Sequence, residues 1–163
     1  MTTIYHAKAT CAVCGAENEY ERIGSTNAFG SPDLDTRPPE MERSTISASV
    51  QRCPECGYCA SEVSAAPPEA QTVVEETEYQ NQLEDPRYPD LANAFLCNAI
   101  IDQRTNSYSD ATWSLIQAAW VCDDADCREG ATECRVRAAE MLRTAEEHGQ
   151  QVWGGVPDGK TQG

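Results

Sequence analysis

Basic residues are scarce in this sequence. Its 163 residues include 12 Lys and Arg against 27 Asp and Glu, which gives a net charge of −15 at pH 7. Most of the negative charge lies in residues 67–148, where 17 acidic and 6 basic residues give a net charge of −11. Nucleic-acid binding depends on Lys and Arg that neutralise phosphates, so this balance disfavours a nucleic-acid partner.

Long apolar runs are also missing. No stretch of about 18 apolar residues is present, which predicts no membrane span. Residues 1–8, MTTIYHAK, lack the apolar segment of a secretory signal, so we expect a cytoplasmic protein. Cytoplasmic cysteines are kept reduced, and an odd number, 9, makes a poor disulfide framework. Paired Cys-x-x-Cys spacings therefore indicate metal binding.

Residues that would support hydrolytic catalysis are few. The two histidines, His6 and His148, do not occur in a spacing typical of zinc hydrolases. Residues 154–161, GGVPDGKT, match the phosphate-binding pattern G-x-x-x-x-G-K-[ST], but that loop needs a helix after it. We expect this match to be accidental and the protein to be non-enzymatic.

Two copies of one short motif are the strongest signal in the chain. Cys11-Ala-Val-Cys14-Gly and Cys53-Pro-Glu-Cys56-Gly each place two cysteines across a two-residue gap, followed by glycine. One tight turn presents two thiolates in this spacing, and two such turns complete the four-sulfur tetrahedron of zinc. Because a closed shell leaves no position for substrate, we predict a structural zinc site with these four cysteines as ligands.

The same four cysteines also suit a rubredoxin-like iron site, so an iron electron carrier is the alternative. The 38 residues between the two pairs favour a zinc ribbon. An iron–sulfur cluster is not expected, because Cys59 extends the second motif but Val63 stands where a fourth cysteine is needed. A nucleic-acid-binding zinc ribbon is a third interpretation, disfavoured by the charge.

The remaining cysteines are predicted to be buried thiols, Cys59 beside Tyr58 and Cys97 in a helix. Cys127 and Cys134 are seven residues apart on one predicted helix, roughly 10 Å along its axis, so one ion does not readily bind both. The spacing allows Cys122 to meet Cys127 across a turn. A redox role for Cys59, Cys122, Cys127 or Cys134 stays open.

Short strand patterns precede the second cysteine pair. Residues 45–51 alternate polar and apolar side chains, which predicts a half-buried strand running into Cys53. Residues 17–23 are a weaker strand candidate. Residues 24–42 are rich in turn-forming residues and predict an ordered loop.

Charged residues in that predicted loop include Asp33, Asp35 and Arg37. We expect them to form a small ion pair that fixes the loop, although a surface pair contributes only about 0–1 kcal/mol.

Helical periodicity begins after a boundary near residues 62–68. Asp90 is the expected N-cap of the second helix, which should be central because it is apolar on more than one face. The four predicted helices cover about residues 68–83, 90–103, 109–122 and 125–147. Residues 149–163, after the last helix, are glycine-rich and predict a flexible tail.

The last two helices predict a hairpin. Trp113, Ile116 and Trp120 lie along one stripe, in a spacing that resembles the first helix of a tetratricopeptide unit. Ala131 and Ala138 resemble the small-residue spacing of its second helix. The predicted fold class is therefore α+β, with a small N-terminal β zinc ribbon over residues 1–66 followed by an acidic, α-helical, tetratricopeptide-like hairpin domain over residues 67–148.

Residues 33–39, DLDTRPP, and 50–58, VQRCPECGY, resemble a bacterial family of uncharacterised proteins that combine a zinc ribbon with tetratricopeptide-like helices, family 2225 of the domains of unknown function. The resemblance covers about residues 8–147. It implies metal ligation by Cys11, Cys14, Cys53 and Cys56 and implies no known activity. Ala12 and Cys59 depart from the pattern. We expect the helices to bind a protein partner, while the sequence leaves the partner and the oligomeric state open.

Overall fold

The computed structural model describes residues 3–25, 30–40 and 42–152. Short N-terminal strands are followed by helices, so the protein is mixed α/β in the predicted order. The elements are β1 (Thr3–Thr10), β2 (Glu17–Ser25), a 3-10 helix (Arg43–Ala48), β3 (Gln51–Arg52), β4 (Cys59–Ala60), α1 (Ala70–Glu75), α2 (Thr77–Leu83), α3 (Asp90–Arg104), α4 (Tyr108–Asp124) and α5 (Arg128–Glu147).

The strands form two antiparallel hairpins. β1 pairs with β2 from Thr3 opposite Ser25 to Thr10 opposite Glu17, which confirms the predicted strand at residues 17–23. β3 pairs with β4 over two positions only. Each hairpin ends in one of the two cysteine pairs. Because isolated two-stranded hairpins are marginally stable, these strands need further support.

The predicted strand over residues 45–51 is wrong. A 3-10 helix occupies most of this segment, and only Gln51 belongs to a strand. The Thr45 hydroxyl donates to the carbonyl of Glu42 at 2.6 Å, and the Ser49 N–H donates to the carbonyl of Ile46 at 3.0 Å. Ser and Thr supply such local hydrogen bonds, which compete with strand pairing.

The first predicted helix, residues 68–83, is divided into α1 and α2. Glu76 lies between them with an extended backbone, at ψ 146°. The Gln80 side chain donates to the carbonyl of Val74 at 2.6 Å, which satisfies a backbone group at the break. Arg104 of α3 binds the Glu76 carboxylate at 2.7 Å and so joins the break to α3.

The helix α3 is central, as predicted, since nine of its fifteen residues are buried. Its N-cap is Pro89 and not Asp90, which is the first helical residue. The Asp90 side chain makes no capping hydrogen bond. Its negative charge is favourable in the first turn, where the helix dipole is positive.

The helices α3 and α4 each end in a turn of the same type. Asn106 and Asp126 adopt left-handed backbone conformations, with φ of 61° and 55°. The next residue then donates its N–H back five positions, from Ser107 to Asp102 at 2.7 Å and from Cys127 to Cys122 at 2.8 Å. This Schellman turn occupies residues 125–127, so the last helix begins later than predicted.

The predicted hairpin of the last two helices is present as α4 and α5. Ile116 and Trp120 are buried, and Trp113 is half-buried. Residues 149–152, the start of the predicted flexible tail, contact α4, because Val152 is buried and its carbonyl accepts the Trp113 indole N–H at 2.7 Å. Residues 153–163, with the GGVPDGKT segment, lie outside the described residues.

The prediction that Asp33, Asp35 and Arg37 pair with one another inside the loop is also wrong. Arg37 is 5% exposed and donates to the Trp120 carbonyl at 3.4 Å, and Asp35 accepts the Trp120 indole N–H at 2.8 Å. The loop is therefore fixed against α4. The carboxylate and guanidinium pairs are Asp33 with Arg43 at 2.8 Å, Asp35 with Arg135 at 3.0 Å, and Arg37 with Asp124 at 2.6 Å.

Candidate metal centre

The first cysteine pair lies in the turn between β1 and β2. The Cys11 N–H donates to the carbonyl of Ala16 at 2.9 Å, and the Gly15 N–H donates to the carbonyl of Cys11 at 2.8 Å. Gly15 has φ 78°, a left-handed conformation that costs glycine little. The local sequence thus folds Cys11 and Cys14 onto one side of a tight turn.

The second pair repeats this turn between β3 and β4. The Cys53 N–H donates to the carbonyl of Tyr58 at 2.9 Å, and the Gly57 N–H donates to the carbonyl of Cys53 at 2.9 Å. Gly57 has φ 81°. The two motifs found in the sequence therefore have the same backbone structure, which the structure places face to face.

The sulfur atoms of Cys11, Cys14, Cys53 and Cys56 all lie within 4.8 Å of one another. Cys11 Sγ is 3.7 Å from Cys56 Sγ, and Cys14 Sγ is 3.6 Å from Cys53 Sγ. A tetrahedron with zinc–sulfur bonds of about 2.3 Å has edges of about 3.8 Å. The four predicted ligands therefore fit a tetrahedral metal ion, and the cluster is compatible with a structural metal site.

The centre lies at the edge of the fold. Cys11 and Cys53 are buried, Cys56 is half-buried and Cys14 is exposed. The first cysteine of each motif is thus on the protein side, and the second is nearer to solvent. A metal ion held by all four sulfurs would have a complete shell and no coordination position open to a substrate.

The thiols differ in acidity. Burial raises the pKa of the Cys53 thiol, but hydrogen bonds from the backbone N–H groups of Cys56 and Glu55, with those from neighbouring thiols, lower it to about 7. Burial raises the pKa of Cys56, and three adjacent thiols raise it further. Four thiolates in contact need a cation, so metal binding would release protons and depend on pH.

Two buried tyrosines lie beside the centre, and neither was predicted. Burial raises the pKa of Tyr20 to about 12, and the nearby Cys53 and Cys11 sulfurs contribute to this increase. Tyr79 on α2 donates its hydroxyl to the Gly57 carbonyl at 2.7 Å and accepts the Cys59 N–H at 2.9 Å. Tyr79 is 23 positions after Cys56, and no spacing rule connects a tyrosine that far along the chain with the cysteines.

Replacing Tyr79 with phenylalanine is expected to lower the free energy of unfolding by about 1–3 kcal/mol, because the buried Cys59 N–H loses its partner and the Gly57 carbonyl keeps only the weak Cys59 thiol donor, at 3.4 Å. Chelator should also remove metal from this variant faster than from the parent. The urea midpoint and the rate of metal release measure these effects. Tyr108→Phe is the matched control, since the Tyr108 hydroxyl makes an exposed hydrogen bond to Asn106. Equal midpoints for the two variants would contradict a supporting role for Tyr79.

The other cysteines lie outside this cluster. Cys59, Cys97, Cys122 and Cys134 are buried, and Cys127 is half-buried. Within the described part of the chain, the four-sulfur cluster is the only group of three or more metal-ligating side chains this close together. The histidine His6 is exposed on β1.

Comparison of the chain with protein-family models, curated proteins and solved structures finds no match. Among residues 3–25, 30–40 and 42–152, no helix has the length and apolar character needed to cross a membrane.

Proposed function

We propose that this chain is a non-enzymatic zinc protein, in which the four clustered cysteines hold a structural zinc ion and the helices bind another protein. The observation that carries the proposal is the sulfur cluster, which lies within 4.8 Å and has two edges, 3.6 and 3.7 Å, that suit tetrahedral zinc. Membership of family 2225 is proposed on the same cysteine motifs and the residues around them. The cytoplasmic location expected from the sequence is part of the proposal.

Zinc would stabilise the hairpins that carry it. β1 is mostly exposed, and β3–β4 has two paired positions, so neither hairpin buries enough apolar surface to be stable alone. Metal-binding free energy becomes folding free energy in small ribbons of this kind. This supports a structural role, since two-stranded hairpins of this length need a further source of stability.

The second candidate is an iron electron carrier. Backbone N–H groups donate to the sulfurs of Cys14, Cys53 and Cys56, and hydrogen bonds to sulfur adjust the potential of a tetrathiolate iron. The exposure of Cys14 would give electrons a short path to the surface. Zinc at the same position is redox-silent.

Metal content separates the two candidates. Protein purified without chelator or added metal is expected to contain about one zinc ion per chain and to be colourless, because zinc has a filled d shell. Elemental analysis and a visible spectrum measure this. About one iron per chain with thiolate charge-transfer bands would contradict the zinc proposal and favour the electron carrier. Neither metal at a stoichiometric level would contradict both.

The helical part supports a protein-binding role through its outer surface. On α5, Glu129, Val136 and Glu147 are exposed at helical spacing, and Glu133 and Glu140 are further exposed carboxylates of this helix. Val136 is 54% exposed, which is unusual for a large apolar side chain in this structure. We propose a tetratricopeptide-like arrangement whose acidic face suits a partner with a basic surface.

A further inference from the structure

A cavity of about 470 Å³ lies between the hairpin that carries Cys53 and Cys56 and the helices α3 and α4. Its wall contains the aromatic rings of Tyr58 and Trp113 and the carboxylates of Asp102 and Asp110. Aromatic faces and carboxylates together are the groups that bind organic cations in proteins.

Asp102 and Asp110 have no ion-pair partner among the described residues. None of the described residues that line it is basic. Glu62 also lines the cavity, but its carboxylate is neutralised by Arg22 at 2.8 Å. Burial, and then the charge of Asp110, raise the pKa of Asp102 to about 7. A bound cation would remove this unfavourable interaction.

The fold does not require carboxylates at these positions. The turn after α4 repeats the turn after α3 twenty residues later, and there Cys122 and Gly130 stand in place of Asp102 and Asp110. Cys122 is fully buried, and a Cβ added to Gly130 would lie 3.1 Å from its sulfur. The turn after α4 is thus closed and apolar, whereas the equivalent turn after α3 is open and acidic.

A second cavity, of about 160 Å³, adjoins the first, since Ser49 and Gln117 line both. Arg37 lines this second cavity and is 5% exposed, yet its Nε–H has no hydrogen-bond partner. A buried donor without an acceptor is unfavourable, so an oxygen atom belongs there. The Arg37 guanidinium is already neutralised by Asp124, which favours an uncharged carbonyl oxygen over an anion.

We propose that the two cavities form one binding site for a lysine-containing peptide. The lysine ammonium lies between Asp102 and Asp110, near the ring of Trp113, and a backbone carbonyl of the peptide accepts the Arg37 Nε–H. Trp113 and Trp120, which line the two cavities, are seven residues apart on α4, or about 10 Å, and about three extended residues cover that distance. This site is separate from the metal centre and goes beyond the structural zinc role.

The test is isothermal titration of the full, metal-loaded chain with acetyl-Lys-Gly-Gly-amide. Saturable binding is expected, and the same peptide with glutamine for lysine should not bind. Asp102→Asn and Asp110→Asn should each weaken binding roughly tenfold or more, because each removes one charge partner of a desolvated ammonium. Glu147→Gln, the same charge change on an exposed residue at the end of α5, should leave the affinity unchanged.

Three outcomes would overturn the proposal. Equal binding of the lysine and glutamine peptides would exclude an ammonium site. Equal weakening by Glu147→Gln would show general charge attraction. Binding of butylamine as tight as that of the peptide would exclude a role for the carbonyl and for Arg37. Metal content and thermal melting of each variant show that the centre and fold are intact, so a failure here is distinguishable from failure of the zinc proposal.

Discussion

Serine in place of Cys53 is expected to abolish metal binding and unfold the ribbon. Cys53 Sγ is fully buried, and three sulfurs do not complete the tetrahedral shell. Structural zinc in small tetrahedral sites supplies on the order of 10 kcal/mol of apparent binding free energy at pH 7, more than a small ribbon has in reserve. Metal analysis and a thermal melt by circular dichroism measure the loss. We expect Cys56→Ser to behave in the same way.

Cys127→Ser is the matched control for this prediction. The Cys127 thiol is half-buried and lies outside the four-sulfur cluster, so its replacement should keep the metal and change stability little. A Cys53→Ser protein that contains no metal and melts at the parent temperature would contradict the structural role. The loss should extend beyond the strands, because the Tyr79 hydroxyl joins the second cysteine turn to α2.

Asparagine in place of Asp102 is expected to stabilise the protein above pH 7. Burial, with the negative charge of Asp110, raises the pKa of this carboxyl from 3.8 to about 7, while Ser114 donates a hydrogen bond that lowers it. The folded state therefore holds an unfavourable carboxylate at high pH. Asparagine keeps an acceptor for Ser114 and carries no charge, so the free energy of unfolding should rise on the order of 2–4 kcal/mol at pH 8.

The difference between parent and Asp102→Asn should depend on pH in one direction. As pH falls from about 7 to about 4, folded Asp102 binds a proton that the unfolded chain does not, which stabilises the parent. The advantage of the variant should therefore shrink through this window and vanish near pH 4. Urea unfolding at several pH values measures it, with Glu147→Gln as control. A constant difference between pH 4 and 8 would contradict the raised pKa.

Local patterns revealed the cysteine centre and most helices, because both depend on neighbours in sequence. A Cys-x-x-Cys-Gly turn needs only its own backbone hydrogen bonds, so Cys11 and Cys53 were identified with their partners. The stripe of Trp113, Ile116 and Trp120 likewise depends on helical spacing alone. Element bounds were less accurate where Schellman turns placed Asp126 in a left-handed conformation without a glycine to indicate it.

Other features depend on partners far along the chain. Arg37 pairs with Asp124, 87 positions away, and no spacing rule connects them. The alternation at residues 45–51 suggested a strand because Thr and Ser count as polar, whereas their hydroxyls make local turn bonds. The cavity at Asp102 was not predicted either, since its walls come from both halves of the chain.

A metal ion in the four-sulfur cluster would also act as a cross-link. It would join Cys11 to Cys56, 45 positions apart, and so close a long loop in every state of the chain that keeps the ion, including partly folded ones. For a loop of that length, the chain-entropy relation for cross-links gives about 4 kcal/mol of stabilisation by restriction of the unfolded ensemble. Asp35 and Arg37 lie inside this loop. The cross-link would confine this part of the chain before Asp35 and Arg37 contact α4, so less conformational entropy would be lost when they do.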